Sequence, residues 1–124
     1  MSNHRQAVGQ RGEAYAAQFL TARGYTIRAR NWRCAVGELD LVAERDGVIV
    51  FVEVRTRHGD RLGTPEESIT PAKRARLIAA AQTYLDEQGQ ADRDWRIDVV
   101  AIEIGSQGEV KRCTLIENAI EETS

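Results

Sequence analysis

The dipeptide Asp46-Gly47 constrains this chain more than any other pair of residues. It separates two strand-like segments, 38–45 and 48–57. Asp-Gly favours the two-residue type I′ hairpin loop, whose central positions both need positive φ. With that loop Arg45 pairs with Val48, Asp40 falls opposite Glu53, and Glu38 falls opposite Arg55. Directly opposed Cβ atoms lie about 4.5–5.5 Å apart. Glu53 sits inside Val48-Ile49-Val50-Phe51-Val52-Glu53-Val54, a run that reads as a strand buried on both faces. An ionised carboxylate there costs several kcal/mol unless something positive compensates it. Two carboxylates about 5 Å apart repel by about 3 kcal/mol at an effective dielectric near 20. Mg²⁺ or Mn²⁺ held by both would reverse that sign, because hard divalent ions take carboxylate oxygens. The structural alternative is an ion pair of Glu53 with Arg30 or Arg55 that fixes strand order. A looser turn would slip the register by one residue and send the acids to opposite faces.

The remaining pattern gives the order αβββαββ. A helix is expected over 3–23, with Asn3 as N-cap and Gly24 as its stop. Glu13 lies at the edge of its apolar stripe. A first strand is expected over 25–33, with Tyr25, Ile27, Ala29 and Asn31 on one face and Arg28, Arg30 and Trp32 on the other. In the second strand Leu39, Leu41 and Ala43 should share a face. His58 to Pro65 reads as a polar loop. Thr70-Pro71 opens a second helix, running to about Gly89, as N-cap and first helical residue. Strands at 95–104 and about 110–116 complete the chain. Three meander strands followed by a crossover helix imply an α/β fold with a single mixed β-sheet flanked by helices. One domain is expected over residues 1–117, with a frayed acidic tail at 118–124.

With 42% hydrophobic and 29% charged residues, a folded domain is expected rather than disorder. No apolar run approaches the ~20 residues of a membrane span. The first residues lack a signal peptide's apolar stretch, so a cytoplasmic, membrane-free protein is expected. Cys34 and Cys113 have no zinc or disulfide spacing. The net charge of −2 hides an asymmetry. Residues 1–82 carry 13 basic and 9 acidic side chains, and residues 83–124 carry 4 and 10. Fifteen of the 17 basic residues are arginine, the side chain suited to phosphate. Arg30 and Arg33 precede the acids, and Arg55, Arg57 and Lys73 follow them.

The pattern Glu13, Gly37-Glu38-x-Asp40, Glu53-x-Arg55 resembles the PD-(D/E)-x-K nuclease superfamily, including the Holliday-junction resolvases. The chain as a whole resembles the YraN-like family of uncharacterised bacterial proteins. That likeness rests on Gly24-Tyr25, Arg30-Asn31-Trp32-Arg33, Gly37 to Val42, Phe51 to Arg55 and Ile69 to Lys73. It implies a restriction-endonuclease-like αβββαβ core and a Mg²⁺- or Mn²⁺-dependent nuclease. Asp40 and Glu53 would be metal ligands, with Glu13 completing the site or holding a metal-bound water. Arg30, Arg33, Arg57 and Lys73 would contact nucleic acid, DNA more than RNA. The resolvase likeness further implies branched DNA and a homodimer. Arg55 stands where the superfamily usually has lysine. Arginine can stabilise charge but cannot give up a proton as a base.

Lesser candidates have bland readings. Gln82 and His58 read as surface residues, Asp98 as a structural hydrogen-bonding acid, and Asn31 and Trp32 as strand-pairing and packing residues. Two rivals to an enzyme are a non-catalytic nucleic-acid-binding module, favoured by Arg55, and a protein-binding adaptor, favoured by the modest net charge.

Overall fold

The computed structural model describes residues 4–58 and 68–120, with 4–10 as helical backbone only. Helix α1 spans His4–Ala22, and strands β1 Thr26–Cys34, β2 Gly37–Arg45 and β3 Val48–His58 follow it. Helix α2, Pro71–Glu87, leads to β4 Trp95–Ile104 and β5 Val110–Ile120. The five strands form one sheet in the order β1-β2-β3-β4-β5. Only β3 and β4 are parallel, as the α2 crossover between them requires. This is the α/β architecture expected from the order of elements, consistent with a restriction-endonuclease-like core. Among the described residues no helix is long and apolar enough to cross a membrane.

Each face of the sheet carries its own core. Leu77, Ala80, Ala81, Tyr84 and Leu85 of α2 pack on Leu39, Val42, Phe51, Ile97 and Val99. Tyr84 meets Trp32 and Phe51 edge to face, at centroid distances of 5.3 and 5.7 Å. On the other face Ala16, Ala17 and Leu20 of α1 pack on Leu41, Ala43, Val50, Val52, Val100 and Ile102. The small residues of α1 let it lie close. A Cβ at Gly12 would stand 2.6 Å from Thr56 Oγ1.

Asp46 and Gly47 both have positive φ, at 52° and 81°, so the hairpin is the tight one. Its register runs from Arg45 opposite Val48 to Leu41 opposite Val52. There the β2–β3 ladder stops, short of the expected Asp40–Glu53 and Glu38–Arg55 pairs, although both strands continue. Gly37 to Leu39 remain paired to β1, and Glu53 to His58 remain paired to β4. The sheet therefore parts along the β2–β3 seam, into a β1-β2 arm and a β3-β4-β5 arm.

The expected facing of β1 and β2 needs two corrections. The register shifts between Ile27 and Ala29, so Ala29 packs on the α2 side together with Trp32, not on the face of Tyr25 and Ile27. Leu39 also packs on the α2 side, while Leu41 and Ala43 pack on the α1 side. Between them the pairing passes over Asn31 and Asp40, and Asn31 adopts a left-handed φ of 51°. A left-handed residue breaks the two-residue alternation. The last strand, expected to end near 116, runs to Ile120. Asn118, at φ 50°, donates its N–H to buried Asp98 at 2.8 Å. Asp98 also accepts from Arg96 Nε at 3.0 and 3.1 Å, which is the structural role expected for it. Asn3, the loop 59–65 and residues 121–124 lie outside the described residues.

Candidate functional site

The parting of the sheet creates the site. Asp40, released from ladder pairing, turns its carboxylate to the next strand and accepts the Val54 N–H at 2.8 Å. One side-chain oxygen thus replaces a backbone partner, satisfying a donor that the opened seam would otherwise leave bare. Glu13 comes in from α1, positioned by the close approach at Gly12, and hydrogen-bonds Asp40 and Asn31. Glu53 belongs to the α2 side of β3 and is 6% exposed. Lys73 reaches it from α2, with Nζ to Oε2 at 3.9 Å. The N-cap fixes that lysine: Thr70 Oγ1 accepts the Lys73 N–H at 3.1 Å. Arg55 Nε stands 3.9 Å from Glu53 Oε1.

These acids are poorly compensated. Burial, then the nearby Asp40 carboxylate, push Glu53 up to about 7 against the attraction of Lys73 and Arg55. Glu13 is likewise pushed up to about 7, by burial and then by Asp40. Burial raises Asp40 as well, opposed by the Val54 N–H and Lys73. Both cationic contacts to Glu53 are too long for hydrogen bonds, which is why they fail to offset desolvation. The Glu13–Asp40 contact sets two carboxyl groups against each other, which drives one of them toward its protonated form.

The donor set suits a hard divalent ion: carboxylate oxygens from β2 and β3, with a third carboxyl beside them. Among the described residues no three histidine, cysteine or acidic side chains already surround one point as a cage. Mg²⁺ does not demand one, since it keeps waters and is bound through one or two carboxylates plus substrate phosphate. A second feature faces the same place. Arg55 Nε is buried without a hydrogen-bond partner among the described residues, and such a donor is costly unless an acceptor arrives.

A cleft of about 400 Å³ adjoins the acids between the β1–β2 turn and α2, lined by Arg33, Glu38, Lys73 and Arg76 among others. Arg33 pairs with Glu38 at 3.2 Å, and no ion-pair partner for Arg76 is found among the described residues. The structure thus gathers Glu13, Asp40, Glu53, Arg55 and Lys73, with Arg33 one cleft away. Arg30 is exposed on β1, and Arg57 lies four residues beyond Glu53 on β3 with contacts of its own. Two residues enter that sequence reasoning undervalued. Asn31 orients Glu13, a role that an asparagine at a strand irregularity could have suggested. Arg76, one of a basic cluster in the sequence, lines the cleft. Gln82 is exposed on α2.

The profile of the uncharacterised protein family UPF0102 matches residues 12–102. Over 123 residues the chain is 50% identical to a UPF0102 protein of Roseiflexus castenholzii, covering 98% of this chain and 99% of the relative. It is 53% identical over 112 residues to one of Symbiobacterium thermophilum, covering 90% and 94%. A Moorella thermoacetica relative is 45% identical over 119 residues, covering 96% and 99%. Glu13, Asp40, Glu53, Arg55 and Lys73 all fall within the matched stretch.

Proposed function

The chain belongs to the uncharacterised protein family UPF0102, and from its under-compensated acids we propose that it is a Mg²⁺- or Mn²⁺-dependent nuclease acting on DNA. The observation that carries this reading is the half-buried Asp40 and buried Glu53 beside each other at the parted seam, with Glu13 hydrogen-bonded to Asp40 from α1 and a buried Arg55 Nε that has no hydrogen-bond partner among the described residues. Asp40 and Glu53 would hold the ion, which when bound supplies Lewis-acid chemistry toward phosphoryl oxygen. Glu13 would complete the site from α1, through its hydrogen bond with Asp40. Arg55 offers its buried N–H to a phosphate oxygen and stabilises charge there, and it moves no proton. Arg33, Lys73 and Arg76 line the path of the neighbouring phosphates, with Arg30 and Arg57 further along their strands. This contact would be sensitive to salt.

A non-catalytic DNA-binding module is the second reading, and arginine in place of lysine at position 55 favours it. Incubation with linear, flapped and four-way-junction DNA, with Mg²⁺, Mn²⁺ or chelator, separates the two. Metal-dependent cleavage abolished by Asp40→Ala and by Glu53→Ala is the expected result. Binding without cleavage in every condition leaves the second reading. Preference for the junction, with a dimer in sedimentation, would extend the likeness to resolvases.

A further inference from the structure

A second recess lies on the opposite flank of α1 from Glu13. It measures about 260 Å³, below the ~300–1,000 Å³ of pockets that take drug-sized ligands. That is room for one planar ring system. Ile102 and Ile104 of β4 and Val110 of β5 line it, with Arg11 and Tyr15 of α1 and His58 at the end of β3. Among the described residues no acidic side chain lines it, although acids outnumber bases in the chain. Tyr15 is 40% exposed, one of two large hydrophobic side chains left so among the described residues. Gly12 adds no side chain there, because a Cβ would strike Thr56.

We infer that this recess takes one unpaired nucleobase, stacked on Tyr15, with Arg11 and His58 toward its sugar-phosphate. The inference rests on the nucleic-acid reading above and names a substrate class for it: strands that carry an unpaired, unstacked base. Charge complementarity selects the occupant. An apolar floor, one aromatic ring and two basic side chains match a flat aromatic group on an anionic chain.

The test uses the full chain in chelator, so that nothing is cut, with a short oligonucleotide carrying 2-aminopurine, single-stranded or as a duplex. The wild type should quench the single strand and bind it more tightly than the duplex. Tyr15→Phe should keep both properties. Tyr15→Leu should lose the quenching and bind the single strand about tenfold more weakly, as loss of one base–aromatic stack predicts, with duplex affinity and melting temperature unchanged. Unchanged single-strand affinity and quenching in Tyr15→Leu would overturn the inference and leave the nuclease reading standing. So would a shift in sedimentation with unaltered DNA binding, which would assign the recess to a second copy of the chain. If the wild type bound neither form, both readings would fall. Should Tyr15→Leu fold poorly, absence of quenching in the wild type alone would refute the stack.

Discussion

Replacing Glu53 by glutamine should make the metal-free protein more stable at alkaline pH. Glu53 is 6% exposed, and in the folded state its carboxyl is pushed from 4.5 to about 7. A group whose folded pKa is raised favours the folded state fully below its unfolded pKa. That advantage is lost as pH rises through the folded value. The window is therefore pH 4.5 to about 7. Above it the ionised carboxylate works against folding by at most about 3 kcal/mol, at 1.36 kcal/mol per pKa unit. Glutamine keeps the shape and removes the charge. The stability difference between Glu53→Gln and wild type should be near zero around pH 4.5 and grow toward that ceiling by pH 8. In a domain of this size the ceiling corresponds to on the order of 10 °C in melting temperature. Thermal and urea melts in chelator, at half-unit pH steps, measure it. If Glu53→Gln is no more stable than wild type at pH 8, Lys73 and Arg55 already compensate Glu53. The reason for expecting a cation at this place is then gone.

Addition of Mg²⁺ or Mn²⁺ should raise the wild-type melting temperature at pH 8 by mass action, about 2.7 kcal/mol at a hundredfold excess over the dissociation constant. It should leave Glu53→Gln and Asp40→Ala nearly unmoved; calorimetry with each metal decides this. Gly12→Ala places a Cβ against Thr56 Oγ1 and should cost about 1–3 kcal/mol, with a further loss of cleavage as Glu13 is displaced. Comparing urea midpoints with rates under fully folded conditions separates the two effects. Arg76→Ala should weaken DNA binding evenly across sequences and lower the slope of log affinity against log salt by about 1, with no change in melting. Asp98→Ala removes the acceptor of the Asn118 N–H and one partner of Arg96, which keeps Tyr25 and Glu117, and should destabilise by about 1–3 kcal/mol, read by denaturation, whereas Asp98→Asn should cost less.

What the sequence made legible was local chemistry of high specificity. Asp46-Gly47 dictated a turn and hence a register, and Thr70-Pro71 dictated a helix start that places Lys73. The converse failures share one cause. Alternation assumes that every strand residue joins its ladder, but Arg28, Asn31 and Asp40 do not, and Ala29 and Leu39 change face at those two irregularities. Nothing in a single residue type announces where a ladder will stop, because stopping depends on what both strands pair with elsewhere. The end of β5 was hidden in a similar way. Glu117 and Asn118 look like a solvated tail until Asp98, twenty residues upstream, supplies the partner that holds them in the sheet. Glu13 stood out in the sequence only through likeness to nucleases. The physical reason that it reaches Asp40 lies in Gly12, whose missing side chain brings the helix down.

The parted seam has a consequence for misfolding. Unpaired strand margins invite other strands to add to them, and proteins guard such margins with charge. Here the margin is internal, and Glu38, Asp40, Glu53 and Arg55 guard it. Substituting leucine or valine for the acids would remove that guard and the Asp40 bond to the Val54 N–H. The β2–β3 ladder could then continue past Leu41 and Val52, or a neighbouring chain could insert in its place. A family that abandoned this site would be free to close its sheet, whereas one that keeps it must carry an open seam through every round of folding.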